Sequence, residues 1–325
     1  MNLADILKKR SCFKLVCGAG NEDAAEVEKL VAVYAKAGAN YFDLSARQDV
    51  VCAAKRGLER VVSKSKLKNY FFNVSVGIPG DPHVRKAVII GQKCKVCGLC
   101  AKACPQKAIE HKKNIFTVLK TRCIGCGACA KVCRPKAIVF ITENKDLSLV
   151  LPPLVKLGLD SLELHAVTDD EETAYAQWLV MNRVFPGILS LCLDRFHLGD
   201  KQLIGRIRRF TDFRKGFTTI IQADGAPMSG GDDRYNTTLQ ALATADVVNK
   251  ARLPVWLLIS GGTNSKTTCM GRLFEINAHG VAIGSFARKI ISQYVRREDF
   301  LENKKVFNQA AKVAKQLVDK SLRYL

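Results

Sequence analysis

Eight of the thirteen cysteines in this chain fall between positions 94 and 133, at a spacing that occurs twice. The first set reads Cys94-x-x-Cys97-x-x-Cys100-x-x-x-Cys104-Pro105, and the second Cys123-x-x-Cys126-x-x-Cys129-x-x-x-Cys133. An iron–sulfur cubane needs four converging thiolates. Three closely spaced cysteines wrap one cluster, and the fourth, a helical turn further on, points away and ligates the other. The spacing assigns Cys94, Cys97, Cys100 and Cys133 to one [4Fe–4S] cluster, and Cys104, Cys123, Cys126 and Cys129 to a second. Paired CxxC motifs also build tetrahedral zinc sites. Zinc would leave four of these thiols idle and gives no reason for the x-x-x-Cys tail. Pro105 follows Cys104 directly, whereas Arg134 separates Cys133 from Pro135, a departure that bears on one turn and removes no ligand.

The cysteine loops need a frame, and 325 residues are more than a ferredoxin requires. With 48% apolar residues a sizeable core is available. Outside 81–140 the patterning predicts strands at 13–17, 40–44, 70–76, 161–167, 187–193, 218–223, 254–259 and 280–283, each followed by a helical period. Asn21 is expected to cap a helix over 23–37, and Pro152 and Pro153 to interrupt one over 146–157. Eight strand–helix repeats are the signature of a (β/α)8, TIM-barrel-like α/β fold. An open doubly wound sheet shares the same alternation. In the barrel reading, 1–80 supply the first three strands and 81–140 form an inserted α+β ferredoxin domain. Residues 141–290 then supply strands four to eight, and 291–325 add a basic C-terminal helical segment.

Barrel chemistry sits where strands end and βα loops begin. Alternation places Ser161, Glu163 and His165 on one face of the fourth strand and Ser190, Cys192 and Asp194 on one face of the fifth. Ile220, Gln222 and Asp224 share a face of the sixth, and Tyr41, Asp43 and Ser45 a face of the second. Each series turns polar toward its C-terminal end, which marks a ligand site or a rim of caps and ion pairs. Glu163, His165 and Asp224 are the candidates for handling protons. Gly261, Gly262 and Thr263 after the seventh strand, with Gly284 and Ser285 after the eighth, offer close backbone N–H groups and hydroxyls to a phosphate. Ordinary turn chemistry uses the same residue types. A flavin is the natural phosphate-bearing candidate beside iron–sulfur chemistry. The small-residue loop 224–231 reads as a lid, a ligand loop or a plain connector. Cys12, Cys17, Cys52, Cys192 and Cys269 read as small buried hydrophobes, and His83, His111, His197 and His279 as surface or packing residues.

The formal net charge is +21. Thirteen Lys and Arg lie between Arg85 and Lys136, against the single acid Glu110. Such a face steers an acidic redox protein and raises the reduction potential of anionic clusters nearby. Basic charge alone is generic for nucleic acid and no recognition motif accompanies it, so nucleic acid is disfavoured. No run reaches the roughly 18 apolar residues of a membrane span. The first ten residues lack an export core, so the cytoplasm is the expected location.

The chain resembles the LdpA family, the light-dependent period proteins of cyanobacteria. The resemblance rests on Lys14-Leu15-Val16-Cys17-Gly18-Ala19, Ala37-Gly38-Ala39-Asn40-Tyr41-Phe42-Asp43 and the doubled cysteine motif. It rests further on Asp224-Gly225-x-Pro227-Met228-Ser229-Gly230, Ser260-Gly261-Gly262-Thr263-Asn264 and Gly284-Ser285-Phe286-Ala287-Arg288. It implies an iron–sulfur protein that senses cellular redox state and feeds a circadian clock, with clock proteins as partners where the host has a clock. The leading expectation is an electron-transfer or redox-sensing protein with two [4Fe–4S] clusters. The alternatives are an oxidoreductase, fed by those clusters and acting on a phosphate-bearing ligand in the barrel mouth, and a protein-interaction scaffold.

Overall fold

A computed structural model describes residues 1–18, 20–78, 81, 84–142, 145–226 and 233–325. Eight parallel strands close into a barrel: β1 (Cys12–Val16), β2 (Tyr41–Ser45), β3 (Phe71–Gly77), β8 (Ser161–His165), β9 (Ile188–Asp194), β10 (Thr219–Asp224), β11 (Trp256–Ser260) and β12 (Gly280–Ile283). Closure comes from β1 pairing with both β2 and β12. Between β3 and β8 lie two antiparallel ribbons: β4 (Arg85–Ile89) with β7 (Ile138–Thr142), and β5 (Ile109–Lys112) with β6 (Ile115–Val118). The outer helices are α2 (Ala24–Ala37), α3 (Gln48–Glu59), α6 (Leu147–Val155), α7 (Glu171–Val184), α8 (Asp200–Thr211), α9 (Tyr235–Lys250), α10 (Thr267–Leu273), α11 (Ser285–Val295) and α12 (Lys304–Arg323). Among the described residues, no helix is long and apolar enough to cross a membrane. Of the small-residue loop after β10, residues 227–232 lie outside the described set, as does His83.

Strand alternation sorts the two faces of the barrel wall. Leu162, Leu164, Leu191, Leu193, Ile221 and Ala223 point outward into the layer beneath the helices. At the N-terminal end of the barrel the inward residues are apolar: Cys12, Tyr41, Phe71, Ile220, Trp256 and Leu258. The first helix, α1 (Leu3–Lys8), plugs this end with Leu3, Ile6 and Leu7. The inside turns polar toward the opposite end, so one end of the barrel is sealed by burial and the other is left for chemistry.

Two local expectations are corrected. Asp23, not Asn21, caps α2, accepting the Glu26 N–H at 3.1 Å. Asn21 is instead buried, accepting from the Asp23 N–H and donating to the Cys17 carbonyl. The helix α6 runs unbroken through Pro152 and Pro153. Asp146 caps its start, and Leu147, Leu151 and Leu154 are buried, so packing outweighs the missing proline donors.

Gly57 is where α3 crosses α2. A Cβ there would lie 2.2 Å from the Glu28 carbonyl oxygen, whose side chain also pairs with Arg56 and Arg60. Gly57→Ala forces the two helices apart and should destabilise the fold by about 1–3 kcal/mol. Denaturant unfolding checks this; a midpoint equal to the parent's contradicts the close packing.

Candidate functional site

The inserted segment folds as two copies of one turn. Val96 and Gly125 hold left-handed backbone at φ 52° and 66°, Gly98 and Gly127 at 74° and 80°, and Lys107 and Lys136 at 49° and 50°. Gly98 and Gly127 open the short helices α4 (Leu99–Ala103) and α5 (Ala128–Lys131). The Ala108 N–H donates to Cys104 Sγ and the Ala137 N–H to Cys133 Sγ, both at 3.3 Å. The displaced proline after Cys133 therefore leaves its turn unchanged. Two small apolar pockets lie in this unit. Cys104, Cys123, Cys126 and Cys129 line the first, and Cys94, Cys97, Cys100 and Cys133 the second. The donor set fits two cubanes: four sulfurs around each apolar cavity, with three from one loop and one from the other. Burial pushes the Cys129 thiol up to about 11 and raises Cys100. These groups become thiolates when a metal centre replaces their protons.

The insert is fastened to the barrel's C-terminal face through the loop after β1. Lys86 is buried and donates from Nζ to the carbonyls of Gly20 at 2.9 Å and Cys123 at 2.8 Å, with Glu22 Oε2 3.8 Å away. The Glu22 N–H bonds the Thr121 carbonyl at 2.7 Å, and Arg122 Nε bonds Asp23 at 2.7 Å. Ten of the thirteen basic residues of the insert are exposed; Lys86 is buried, and Arg85 and Arg122 are half-buried, Arg85 Nε donating to the Gly125 carbonyl.

Within the barrel mouth, inward side chains of neighbouring strands form one buried polar network. Lys14 is entirely buried, with its ammonium against Glu163 Oε2 and 3.6 Å from Asp43 Oδ1. Asn73 Nδ2 donates to Asp43 at 2.5 Å and to Glu163 Oε2 at 3.2 Å, and Ser75 donates to Asp43. Glu163 Oε1 meets His165 Nε2 at 3.0 Å and Cys192 Sγ at 3.1 Å. His165 Nδ1 faces Asp81 Oδ2 at 3.5 Å. Gln222 Nε2 reaches Ser190 Oγ and Cys192 Sγ. Burial would lower Lys14 and raise Glu163, but their mutual attraction, with Asp43 and His165, reverses both: Lys14 stays charged and Glu163 sits well below the usual carboxylate range. For Asp43 burial wins, and its carboxyl is raised. Burial lifts Asp224 to about 7 despite His165 and Ser260. His165 is lifted to about 10, its burial outweighed by Glu163, Asp81 and Asp224.

Glu163, His165 and Asp224 thus fall in one network, as the alternation pattern indicates. Lys14, Asn73 and Asp81 join it without having been singled out, and Cys192 belongs to it instead of being inert packing. The readable signal for Lys14 is a lysine in the middle of the apolar run 12–16. Asp81 lies beyond its strand, so no periodicity points to it.

The two glycine turns lie at the same end. Gly261 and Gly262 are left-handed, at φ 53° and 78°, and the Gly261 carbonyl accepts the Gly225 N–H at 3.0 Å. A Cβ on Gly261 would stand 2.9 Å from Asp224 Cβ. Thr263 Oγ1 donates to the Ala282 carbonyl at 2.5 Å, and Ser265 and Lys266 are taken up by Asp233. Gly284 precedes Ser285, the first residue of α11, with no side-chain cap. One turn on, Arg288 donates to the Cys17 carbonyl at 2.9 Å.

Replacing Lys14 with methionine leaves Glu163 and Asp43 buried without their cation. K14M should lose about 3–5 kcal/mol of stability, and K14M/E163Q should recover part of it. Denaturant titration reads both; a single variant as stable as the parent would mean the pair is not ionised.

Two family models match the chain. Residues 86–134 match a 4Fe-4S dicluster domain, and residues 154–321 match the Light dependent period A C-terminal domain. The curated protein Light dependent period A of Synechococcus elongatus is 28% identical over 298 residues, covering 86% of this chain and 81% of that one. In fold, the chain resembles the YdjI aldolase of Escherichia coli K12, with TM-score 0.51, 8% identity and coverage of 98% and 95%. It is equally similar to tryptophan synthase of Mycobacterium tuberculosis, with TM-score 0.51, 10% identity and coverage of 100% and 99%. At such identities these likenesses establish a TIM-barrel-like architecture and nothing about activity. With more than half of its length matched by the C-terminal domain and an iron–sulfur dicluster domain before it, the chain belongs to the Light dependent period A family.

Proposed function

We propose that this protein is a cytoplasmic redox sensor that carries two [4Fe–4S] clusters and relays their state to the barrel mouth. The observation that carries the reading is Lys86, which ties the backbone of Cys123 to the loop after β1 while sealed from solvent. Cys94, Cys97, Cys100 and Cys133 would hold one cluster, and Cys104, Cys123, Cys126 and Cys129 the other. When bound, such clusters supply one-electron oxidation and reduction. The chain's own residues do the rest. A change in charge near Cys123 alters how strongly its carbonyl competes with that of Gly20 for the Lys86 ammonium. The loop 17–23 also receives Arg288 and leads back into β1, where Lys14 anchors the buried network. The exposed basic residues of the insert suit an acidic redox protein as electron partner. The name of the Synechococcus relative supports input to a circadian clock, with clock proteins as downstream partners.

An oxidoreductase is the second reading, favoured by the buried acids and His165 beside glycine turns. It requires a phosphate-bearing ligand, such as a flavin, near Gly261, Gly262, Thr263, Gly284 and Ser285. Native mass spectrometry of anaerobically purified protein separates the two readings: a retained flavin or nucleotide selects the enzyme.

Cys100→Ala should lose about half of the bound iron, because only one of two centres loses a ligand. Iron content equal to the parent's would contradict the ligand assignment. Hydrogen exchange, measured anaerobically on oxidised and dithionite-reduced protein, should differ over the loop 17–23 in the parent and not in Lys86→Met. Identical exchange in both states of the parent would overturn the relay.

A further inference from the structure

The barrel mouth holds a group of side chains that the sensor reading does not use. Glu163, His165 and Cys192 bring a carboxylate, an imidazole and a thiol to one point, with donor atoms all within 4.8 Å of one another. Their relative exposures are 2%, 6% and 2%, so water does not compete for them. The positions follow from the register. Glu163 and His165 alternate inward on β8, and Cys192 pairs with His165 on β9.

We propose that this tripod is a binding site for one divalent transition-metal ion, held by Glu163 Oε1, His165 Nε2 and Cys192 Sγ. Mixed oxygen, nitrogen and sulfur donors suit zinc or ferrous iron and not magnesium or calcium, which prefer oxygen alone. Three protein ligands leave a fourth position for water or a ligand entering the mouth. The surroundings are arranged as a second layer. Asp81 stands behind His165 Nδ1, the carboxylate–histidine arrangement that fixes a metal-ligating imidazole. Lys14 and Asn73 hold Glu163 Oε2, which leaves Oε1 directed at the other two donors. Gln222 Nε2 lies 3.3 Å from the Cys192 sulfur.

Asp43 Oδ2 and Asp224 Oδ1 are buried in the same mouth and accept no hydrogen bond among the described residues, so acceptor capacity beside the tripod is unused. Binding replaces protons: the metal takes the place of the thiol proton of Cys192 and of the proton shared by His165 and Glu163, and both leave to solvent. No electron is transferred in this step.

The site lies outside the cysteine-rich insert, so it can be tested with the iron–sulfur centres loaded. Crystals of the full chain, purified anaerobically and soaked in zinc, should show an anomalous difference peak at the zinc edge between Glu163, His165 and Cys192. No peak there at saturating zinc overturns the proposal, leaving a hydrogen-bonded network only. In solution, Cys192→Ala and His165→Gln should each weaken zinc binding by at least about tenfold, and Asp81→Asn by about 10–100-fold. Cys269→Ser should match the parent, and insert iron should be unchanged in all four variants. Zinc affinity in Cys192→Ala equal to the parent's also overturns the site. The crystallographic result stands even if a variant fails to fold.

Discussion

Closing eight parallel strands into a barrel forces every second side chain inward, and in this chain one of them is a lysine. The Lys14 ammonium is held out of water by contact with Glu163 and proximity to Asp43, and the remaining polar groups inside the barrel are arranged around that contact. Desolvating an ammonium costs several kcal/mol, which only close carboxylates and well-placed hydrogen bonds repay. Asn73, Ser75 and His165 supply those bonds by filling the lone pairs that Lys14 leaves. The apolar plug of α1 beneath makes the environment dry, and dryness strengthens each of these interactions.

The same strand leads into the loop on which the insert docks. β1 presents Lys14 to the interior, and the loop that follows it receives Lys86, Arg122 and Arg288. The iron–sulfur domain is therefore not merely tethered by its two chain crossings from β3 and to α6. It bears on the loop that leads directly out of the strand holding the buried cation. The Lys86 contact with two backbone carbonyls is sealed from solvent, so its electrostatics are screened less than those of an exposed ion pair.

The chemistry of the mouth is accordingly richer than iron–sulfur binding requires. Barrel interiors are usually filled with branched apolar residues. Keeping buried carboxylic acids, an imidazole and a thiol there sacrifices stability that leucine and valine would provide. Fold similarity to an aldolase and to tryptophan synthase does not say what these groups do, because barrel function lies in the side chains at the strand ends.

The doubled cysteine motif, the eight repeats and the inward faces of the second, fourth, fifth and sixth barrel strands were legible in the linear chain, because cysteine spacing and strand alternation are local properties. The burial of Lys14, the capture of Asp81 by His165 and the contacts of Cys192 with Glu163 and Gln222 were not legible. Each depends on which strands become neighbours once the sheet closes, and on loops that no period describes. Sequence likewise placed thirteen cations in the insert, but only the docked structure turned Lys86 inward to join the two units. Spacing along the chain determines which groups a strand or loop can present; the register of barrel closure decides which of them meet, because contacts between distant strands are set by packing of the whole.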